Sequence, residues 1–385
     1  MVSDRMSLHF HRICRLDQIT NHLDEWLEFS NRVNLKAPFC QPETWISWME
    51  VYREFEPMVF ELRRADKLIA LLPMYRKGRA LHMACHDLLD YQEIAAHSVS
   101  DAVELILRVI ASEGENGMSL SFGKVSEHSL LSAALHDPAL RKIASVQSRY
   151  QSICSTVTYA INGPRGVLDA LSSRQRKDHN AAGRKLAAEF PEHVVEHNSG
   201  TEIDATRLSA IGRLHQESQI RKSGTSIFAD LRFGEFIQRQ AESGAPIRVS
   251  ILWDRPDGEP LAFNVAYFSG DTFYYYLTAY SGRHAHLSCG RWLLVESLRH
   301  ASSQMDGDFI RFDLLSGEDA YKSRWAKSFY EVSRFQVIPK SLANLPRLAA
   351  YSAVYQLKGV KNRLRSRLGV DRLTSLEHED VALPS

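Results

Sequence analysis

Residues 272–325 concentrate side chains that hold anions and move protons. An aromatic strand pattern ends at Tyr280, a loop with Gly282, Ser288 and Gly290 follows, and residues 291–303 have helical periodicity. Strand, small-residue loop and helix together form a phosphate cradle: unpaired amides at the helix's amino end carry positive partial charge, and small residues let a diphosphate come close. Arg283 and Arg291 add full charges there. Residues 309–315 then read as a buried strand carrying Asp313, followed by Ser316-Gly317-Glu318-Asp319 and a helix with Tyr321, Lys322 and Trp325. Asp313 or Glu318 can take a proton, directly or through water, once burial lifts its pKa toward neutrality. Capping the following helix is the other reading for each carboxylate. There is neither a P-loop nor a Gly-x-Gly-x-x-Gly run, so spacing alone leaves the loop open between an anion site and a simple turn.

The flanking segments supply the scaffold. Residues 17–33 and 42–55 have helical spacing, strand patterns follow at 58–62, 68–75 and 80–83, then a helix at 100–111 and a strand at 118–122. The order recurs: helices at 166–171, 178–188, 204–224 and 233–241, then strands at 247–253, 260–268 and 272–280 joined by Arg255-Pro256-Asp257-Gly258 and Ser269-Gly270-Asp271. A duplicated α/β (α+β) architecture is expected, with units at 1–155 and 156–340. Beyond residue 340, Arg347, Lys358, Lys361, Arg363, Arg365, Arg367 and Arg372 oppose Asp371 until the acidic end, and Val354, Leu357, Val360, Leu364 and Leu368 share one stripe. Residues 341–385 thus read as a basic amphipathic helical tail, either on an anionic membrane surface or packed on its own domain.

Composition excludes several classes. With 385 residues, 44% hydrophobic and 24% charged, the chain folds, and 47 Lys and Arg against 46 Asp and Glu give no global attraction to DNA. Apolar runs are far shorter than the ~20 residues of a membrane span, and no export signal is visible, so a cytoplasmic location is expected. Cys14, Cys40, Cys85, Cys154 and Cys289 are odd in number and lack a Cys-x-x-Cys pair, which predicts reduced thiols. His82, Cys85, His86 and Asp87 do not complete a tetrahedral set, so no metal is expected.

The run Phe312-Asp313-Leu314-Leu315-Ser316-Gly317-Glu318-Asp319-Ala320-Tyr321-Lys322-Ser323-Arg324-Trp325 resembles the GNAT-superfamily acyltransferases of the CelD and BcsL type, related to the Fem peptidyltransferases. Their usual form is an Asp-bearing strand, Gly-Asp/Glu, then Tyr-Lys and a Trp. Tyr276-Leu277-Thr278-Ala279-Tyr280 leading to Ser288-Cys289-Gly290 is similar to a second family stretch, with Cys289 where a proline is usual. Leu71-Leu72-Pro73, Asp90-Tyr91 and the basic helix with Arg174, Arg176, Lys177, Arg184 and Lys185 extend the likeness over roughly residues 20–340. The resemblance implies two tandem GNAT-like domains, the second binding acetyl-CoA through Thr278, Tyr280, Arg283, Ser288, Cys289, Gly290 and Arg291. Only Gly290 stands where stand-alone GNAT enzymes carry two glycines.

Moving an acyl group from a thioester to an amine needs a neutral amine, a polarised carbonyl and a proton for the thiolate. Asp313 or Glu318 is the candidate base, backbone amides near Tyr280 the carbonyl donors, and Tyr321, by the resemblance, the acid. Lys322, His215, Arg221, Asn264, Tyr276 and Arg176 are candidates for binding substrate. The expectation is an acyl-CoA-dependent N-acyltransferase acting on an amino sugar, as a sugar nucleotide or lipid-linked sugar, in bacterial exopolysaccharide or cell-envelope synthesis. A Fem-like transferase using aminoacyl-tRNA and a non-catalytic partner of a polysaccharide complex are the rivals. Arg363 and Arg367 raise a cyclic dinucleotide as a further ligand.

Overall fold

Apolar strands separated by two-residue turns that accept positive φ give the chain its sheet. In the computed structural model, which describes residues 7–85, 88–163, 165–222, 224–317 and 321–349, Ala65 and Asp66 (φ 46° and 64°) close one hairpin, and Gly78 (φ 61°) opens the turn into the next. The first half runs β1 (Leu8–Ile13), α1 (Leu16–Asn21), α2 (Leu23–Arg32), α3 (Pro42–Val51), β2 (Glu56–Arg64), β3 (Lys67–Lys77), β4 (Ala80–Met83), β5 (Ala95–Ala96), α4 (Val99–Glu113), β6 (Ser119–Ser126), α5 (Leu130–Leu135) and α6 (Pro138–Ile143). β7 (Ala144–Ala160) leads into α7 (Val167–Ala170), α8 (Ser173–Glu189), β8 (Val194–Ser199), α9 (Ala205–Arg221), α10 (Leu231–Glu242), β9 (Ile247–Trp253), β10 (Pro260–Ser269), β11 (Thr272–Tyr280), α11 (Cys289–Ser302), β12 (Phe309–Ser316) and β13 (Ser328–Pro339).

Among the described residues thirteen strands form one sheet, ordered β1-β2-β3-β4-β6-β13-β7-β12-β11-β10-β9-β8, with β5 on β3. Its two halves share one plan. An antiparallel meander ends in a strand that pairs in parallel with the strand after a crossover helix: β4 with β6 around α4, β11 with β12 around α11. The duplicated α/β architecture expected from the element order is therefore present. Each half is completed by the other's end: β13 pairs with β6, β7 with β12, and β7 and β13 pair from Ser328↔Thr156 to Pro339↔Ala144. Residue 155 falls inside β7, within that exchange.

Packing follows the alternation of side chains. Trp26, Phe29, Trp45 and Phe60 fill the core under α1 to α3, while Phe312, Ile310 and Val157 pack against Leu298 of α11. Two expectations differ. Residues 17–33 break into two helices at His22, and the helix expected around Tyr321 is one 3-10 turn, Lys322–Arg324, before the chain extends into β13. Of the tail, the 3-10 turn Leu342–Asn344 and the residues up to 349 are described; the amphipathic stripe from Val354 to Leu368 lies outside the described residues. No helix among the described residues is long and apolar enough to cross a membrane.

Candidate active site

β11 and β12 pair only through Thr272↔Arg311, Phe273↔Phe312 and Tyr274↔Asp313, so Asp313 stands where the sheet opens. Two backbone irregularities open it. Tyr276 is an extra residue in β11, because the partners of Val265 and Ala266 are Leu277 and Tyr275. Leu315 adopts φ 59°, a costly conformation for leucine, held by its amide donating to Asp313 Oδ1 at 2.9 Å.

Asp313 is 1% exposed. Tyr91 Oη donates to its Oδ1 at 2.6 Å and Tyr330 Oη to its Oδ2 at 2.8 Å. Burial raises the carboxyl's pKa against the hydrogen bonds from Tyr91, Leu315 and Tyr330, which lower it. The carboxylate thus joins the loop after β4, strand β12 and strand β13.

On the α11 face, a cavity of about 480 Å³ is lined by Ser172, Arg174, Gln175 and His179 from α8 and its cap, Ser288, Arg291 and Trp292 at the start of α11, and Arg324 and Trp325. Ser288 precedes α11 in the left-handed region with no side-chain cap, and no acidic residue stands in the first turn. The Arg291 and Trp292 amides bond back to the Ser288 carbonyl; among the described residues the Cys289 and Gly290 amides have no partner. The equivalent helix α4 is closed instead, with Ser98 accepting from the Asp101 amide and Asp101 paired to Arg64 at 2.9 Å. Partial positive charge is therefore available to an anion at α11 and neutralised at α4. Deeper in, His179 Nε2 lies 3.1 Å from Glu296 Oε1, and its ring stacks on Trp292 at 5.9 Å with planes 8° apart.

The opposite face of the same strands holds a second cavity, about 340 Å³, lined by Tyr91, Glu93, Tyr274, Arg311, Asp313 and Tyr330 with Lys36 and His128 nearby. Strand alternation separates the two, since Phe312 and Leu314 face α11 while Arg311 and Asp313 face this cavity. Glu93 takes hydrogen bonds from the Ile94, Leu130 and Leu131 amides, yet burial outweighs them and pushes its pKa up to about 7.

The structure places Ser288 and Arg291 in the first cavity and Asp313 in the second. Cys289 is buried, its thiol pushed up to about 11 by burial, and Gly290 lies against the Tyr280 ring. Thr278 bonds to the Phe263 carbonyl, and Arg283 faces a third hollow beside Arg213 and Glu217. Tyr321 packs at the edge of the cluster containing Phe312 and Trp325, on the α11 face. Glu318 lies outside the described residues.

The residues expected to bind substrate do not converge. His215 is 3% exposed, bonds Ser226 Oγ at 2.7 Å, and is held neutral by burial, its pKa lowered to about 4. Arg221 donates to the Tyr280 carbonyl, and Arg176 donates to the Leu168, Asp169 and Leu171 carbonyls at the end of α7. Asn264 donates to Ser297 Oγ beneath α11, Tyr276 Oη to the Leu88 carbonyl, and Lys322 Nζ to the Ser316 carbonyl at 2.7 Å. Of the four residues weighed and set aside as metal ligands, His82 stacks on Tyr75 and Cys85 is buried, while His86 and Asp87 lie outside the described residues. Sequence reasoning missed Tyr330, Glu93, His179 and Trp292 as site residues. Gln175, whose side chain closes a capping box with Ser172 and donates to the Arg324 carbonyl, falls between the helices expected at 166–171 and 178–188, because α8 begins five residues earlier than its apolar periodicity indicates.

The sequence matches no curated protein. Among solved structures, FemX shares 10% identity, covering 90% of this chain and 99% of that one, with a TM-score of 0.61. A conserved protein from Bacteroides thetaiotaomicron shares 11% identity over 87% and 100% (TM-score 0.55), and L-PGS from Bacillus licheniformis 13% over 88% and 96% (TM-score 0.52). At these identities the likeness is one of fold. Over residues 173–323, from the start of α8 to the turn bearing Lys322, the chain matches the family described as "Acetyltransferase (GNAT) domain", and the fold is GNAT-like.

Proposed function

We propose that the chain is an acyl-CoA-dependent N-acyltransferase, most simply an acetyltransferase, whose acceptor is an amino sugar. One observation carries the reading: the uncapped, acid-free N-terminus of α11 opens on a cavity of about 480 Å³ beside the point where β11 and β12 part. A diphosphate fits the Cys289 and Gly290 amides, with Arg291, Arg174 and Arg324 supplying charge around it. From there the thioester reaches the gap beyond Tyr274 and Asp313.

The acceptor amine enters from the opposite cavity, whose carboxyl groups and tyrosine hydroxyls suit an ammonium on a polyhydroxylated ring. Asp313 takes the amine proton through the Tyr330 hydroxyl that already donates to it. The nitrogen lone pair forms the new C–N bond, the C–S bond breaks, and Tyr321 gives its proton to the thiolate. Exchange with solvent restores Asp313 and Tyr321. Sugar nucleotides and lipid-linked sugars of exopolysaccharide or cell-envelope synthesis on the cytoplasmic side carry such amines, and the basic tail would bring the enzyme to an anionic membrane surface.

Calorimetry with acetyl-CoA, followed by thiol release with a panel of amino sugars, tests the proposal. Binding at micromolar to millimolar donor and acceptor-dependent thiol release are expected. No heat with acetyl-CoA, together with salt-sensitive binding of charged tRNA, would move the assignment to aminoacyl transfer.

A further inference from the structure

Beyond the end of β13 the chain crosses a surface that the reaction above does not use. The Lys340 amide donates to the Ile143 carbonyl at 2.8 Å and its Nζ to the Arg141 carbonyl at 2.7 Å, which seats this end of β13 on the last turn of α6. The 3-10 turn Leu342–Asn344 comes next and is pinned from within. Asn344 is fully buried and donates to Ser341 Oγ at 3.2 Å, and that hydroxyl donates to the Gly114 carbonyl at 3.1 Å. Arg347 fastens the far side, its Nη1 donating to the Arg79 carbonyl at 2.9 Å and the Gly117 carbonyl at 3.3 Å. Residues three apart lie on one side of such a turn. Burying Asn344 therefore turns Leu342 and Leu345 outward together, 86% and 55% exposed, with Pro346 exposed beside them. Cations surround them: Arg79, Arg141, Lys142 and Lys340 are exposed, and among the described residues neither these nor Arg347 has an ion-pair partner. On the same segments the acids are Glu115, exposed on the loop between α4 and β6, and Asp137, which caps α6.

We propose that this face docks on an anionic lipid surface, Leu342 and Leu345 entering the boundary between headgroups and acyl chains while Arg79, Arg141, Lys142 and Lys340 meet lipid phosphates. Scattered exposed leucines carry no meaning, but aliphatic side chains held outward by an anchored turn within a ring of cations match both layers of such a surface. The same charges repel the chain's own basic tail, since Lys358, Lys361, Arg363, Arg365 and Arg367 would have to lie against them. Tail and face thus suit one anionic partner better than each other. The contact carries to the folded body the membrane attachment proposed for the tail, and it is independent of the acyl donor.

Flotation of the full chain with vesicles of equal parts phosphatidylglycerol and phosphatidylcholine tests the contact. Wild type should bind these vesicles and bind pure phosphatidylcholine at least about tenfold more weakly. With the tail intact, Leu342→Ser combined with Leu345→Ser should lower the partition coefficient about tenfold, and Arg141→Gln combined with Lys142→Gln should lower it about fivefold and reduce its salt dependence. Leu342→Trp should raise it severalfold, a gain that a damaged fold does not give. Thermal unfolding and acetyl-CoA affinity should be unchanged in these variants, because the substituted side chains are exposed and lie outside the donor cavity. Equal partitioning of wild type and the double serine variant overturns the inference and leaves attachment to the tail alone. Absence of wild-type binding overturns both, without touching the acyl-CoA reading. A dimer in sedimentation that the two serines dissociate, with no vesicle binding, overturns the inference and assigns the face to a second copy of the chain.

Discussion

Replacing Glu93 by glutamine should remove the pH dependence of one part of the molecule's stability and so reverse the order of stability of the two proteins between acid and alkaline pH. Glu93 lines the cavity that holds Asp313, and its carboxyl is pushed from 4.5 to about 7 by burial, against three backbone amides that favour the anion. The group is protonated in both states below pH 4.5 and ionised in both above about 7. Its folded pKa is raised, so its favourable contribution is complete below 4.5 and is lost as pH climbs to about 7, a change on the order of 3 kcal/mol. Glutamine stays neutral throughout but has one acceptor oxygen for amides now shared between two, which costs about 1 kcal/mol. Wild type should therefore be the more stable protein at pH 4.5, and Glu93→Gln the more stable at pH 8 by about 2 kcal/mol. Buried His197 and His215, both lowered to about 4, lose stability as pH falls below their ordinary 6.5, but they do so equally in both proteins and cancel in the difference. Urea unfolding followed by circular dichroism at pH 5 and 8 gives the comparison. A difference that stays constant between those pH values would refute the assignment of Glu93 as a buried, neutral acid.

Three more outcomes follow from the geometry. Asp313→Asn should lower turnover about 100- to 1,000-fold in steady-state assays while leaving acetyl-CoA affinity near wild type; turnover within about threefold of wild type would remove Asp313 from the proton path. A Cβ on Gly282 would displace the exposed, flexible Arg221 guanidinium from the Tyr280 carbonyl, so Gly282→Ala should destabilise by no more than about 1 kcal/mol in denaturant unfolding, and adding Arg221→Ala should cost almost nothing further. Buried Cys289, with its thiol pushed up to about 11, should resist iodoacetamide at pH 8 in the native protein and react in urea, as read by mass spectrometry; rapid native labelling would contradict its burial.

The strands and helices around the site were largely legible because their periods are clean. The strand patterns at 247–253 and 272–280 coincide with β9 and β11, and the helix at 291–303 begins two residues earlier, at Cys289. β7 and β13 were not legible. Gln147, Ser148, Arg149 and Gln151 sit half-buried or exposed in β7, and β13 shifts register between Val332 and Ser333 and between Ser333 and Phe335, which breaks its alternation. Missing those two strands hid the exchange between halves, and with it the partners of Asp313. The aspartate itself stood out as a carboxylate in an apolar run, but Tyr91 and Tyr330 reach it across 222 and 17 residues of sequence, a proximity that only the central strand pairing creates. Local motif reading likewise favoured Arg221 and His215 for substrate, whereas capping of Tyr280 and a core bond to Ser226 account for them. His179 carried no signal beyond its place on a basic helix, since its meaning comes from Glu296, 117 residues later.

The donor site can be watched directly through the amides assigned to it. Native hydrogen exchange of the full chain, with and without saturating acetyl-CoA, should show slowed exchange at Cys289 and Gly290 and no change at the capped start of α4, around Val99–Asp101. Protection at α4 instead, or none at α11 while acetyl-CoA is demonstrably bound, would contradict the claim that the open end of α11 holds the donor.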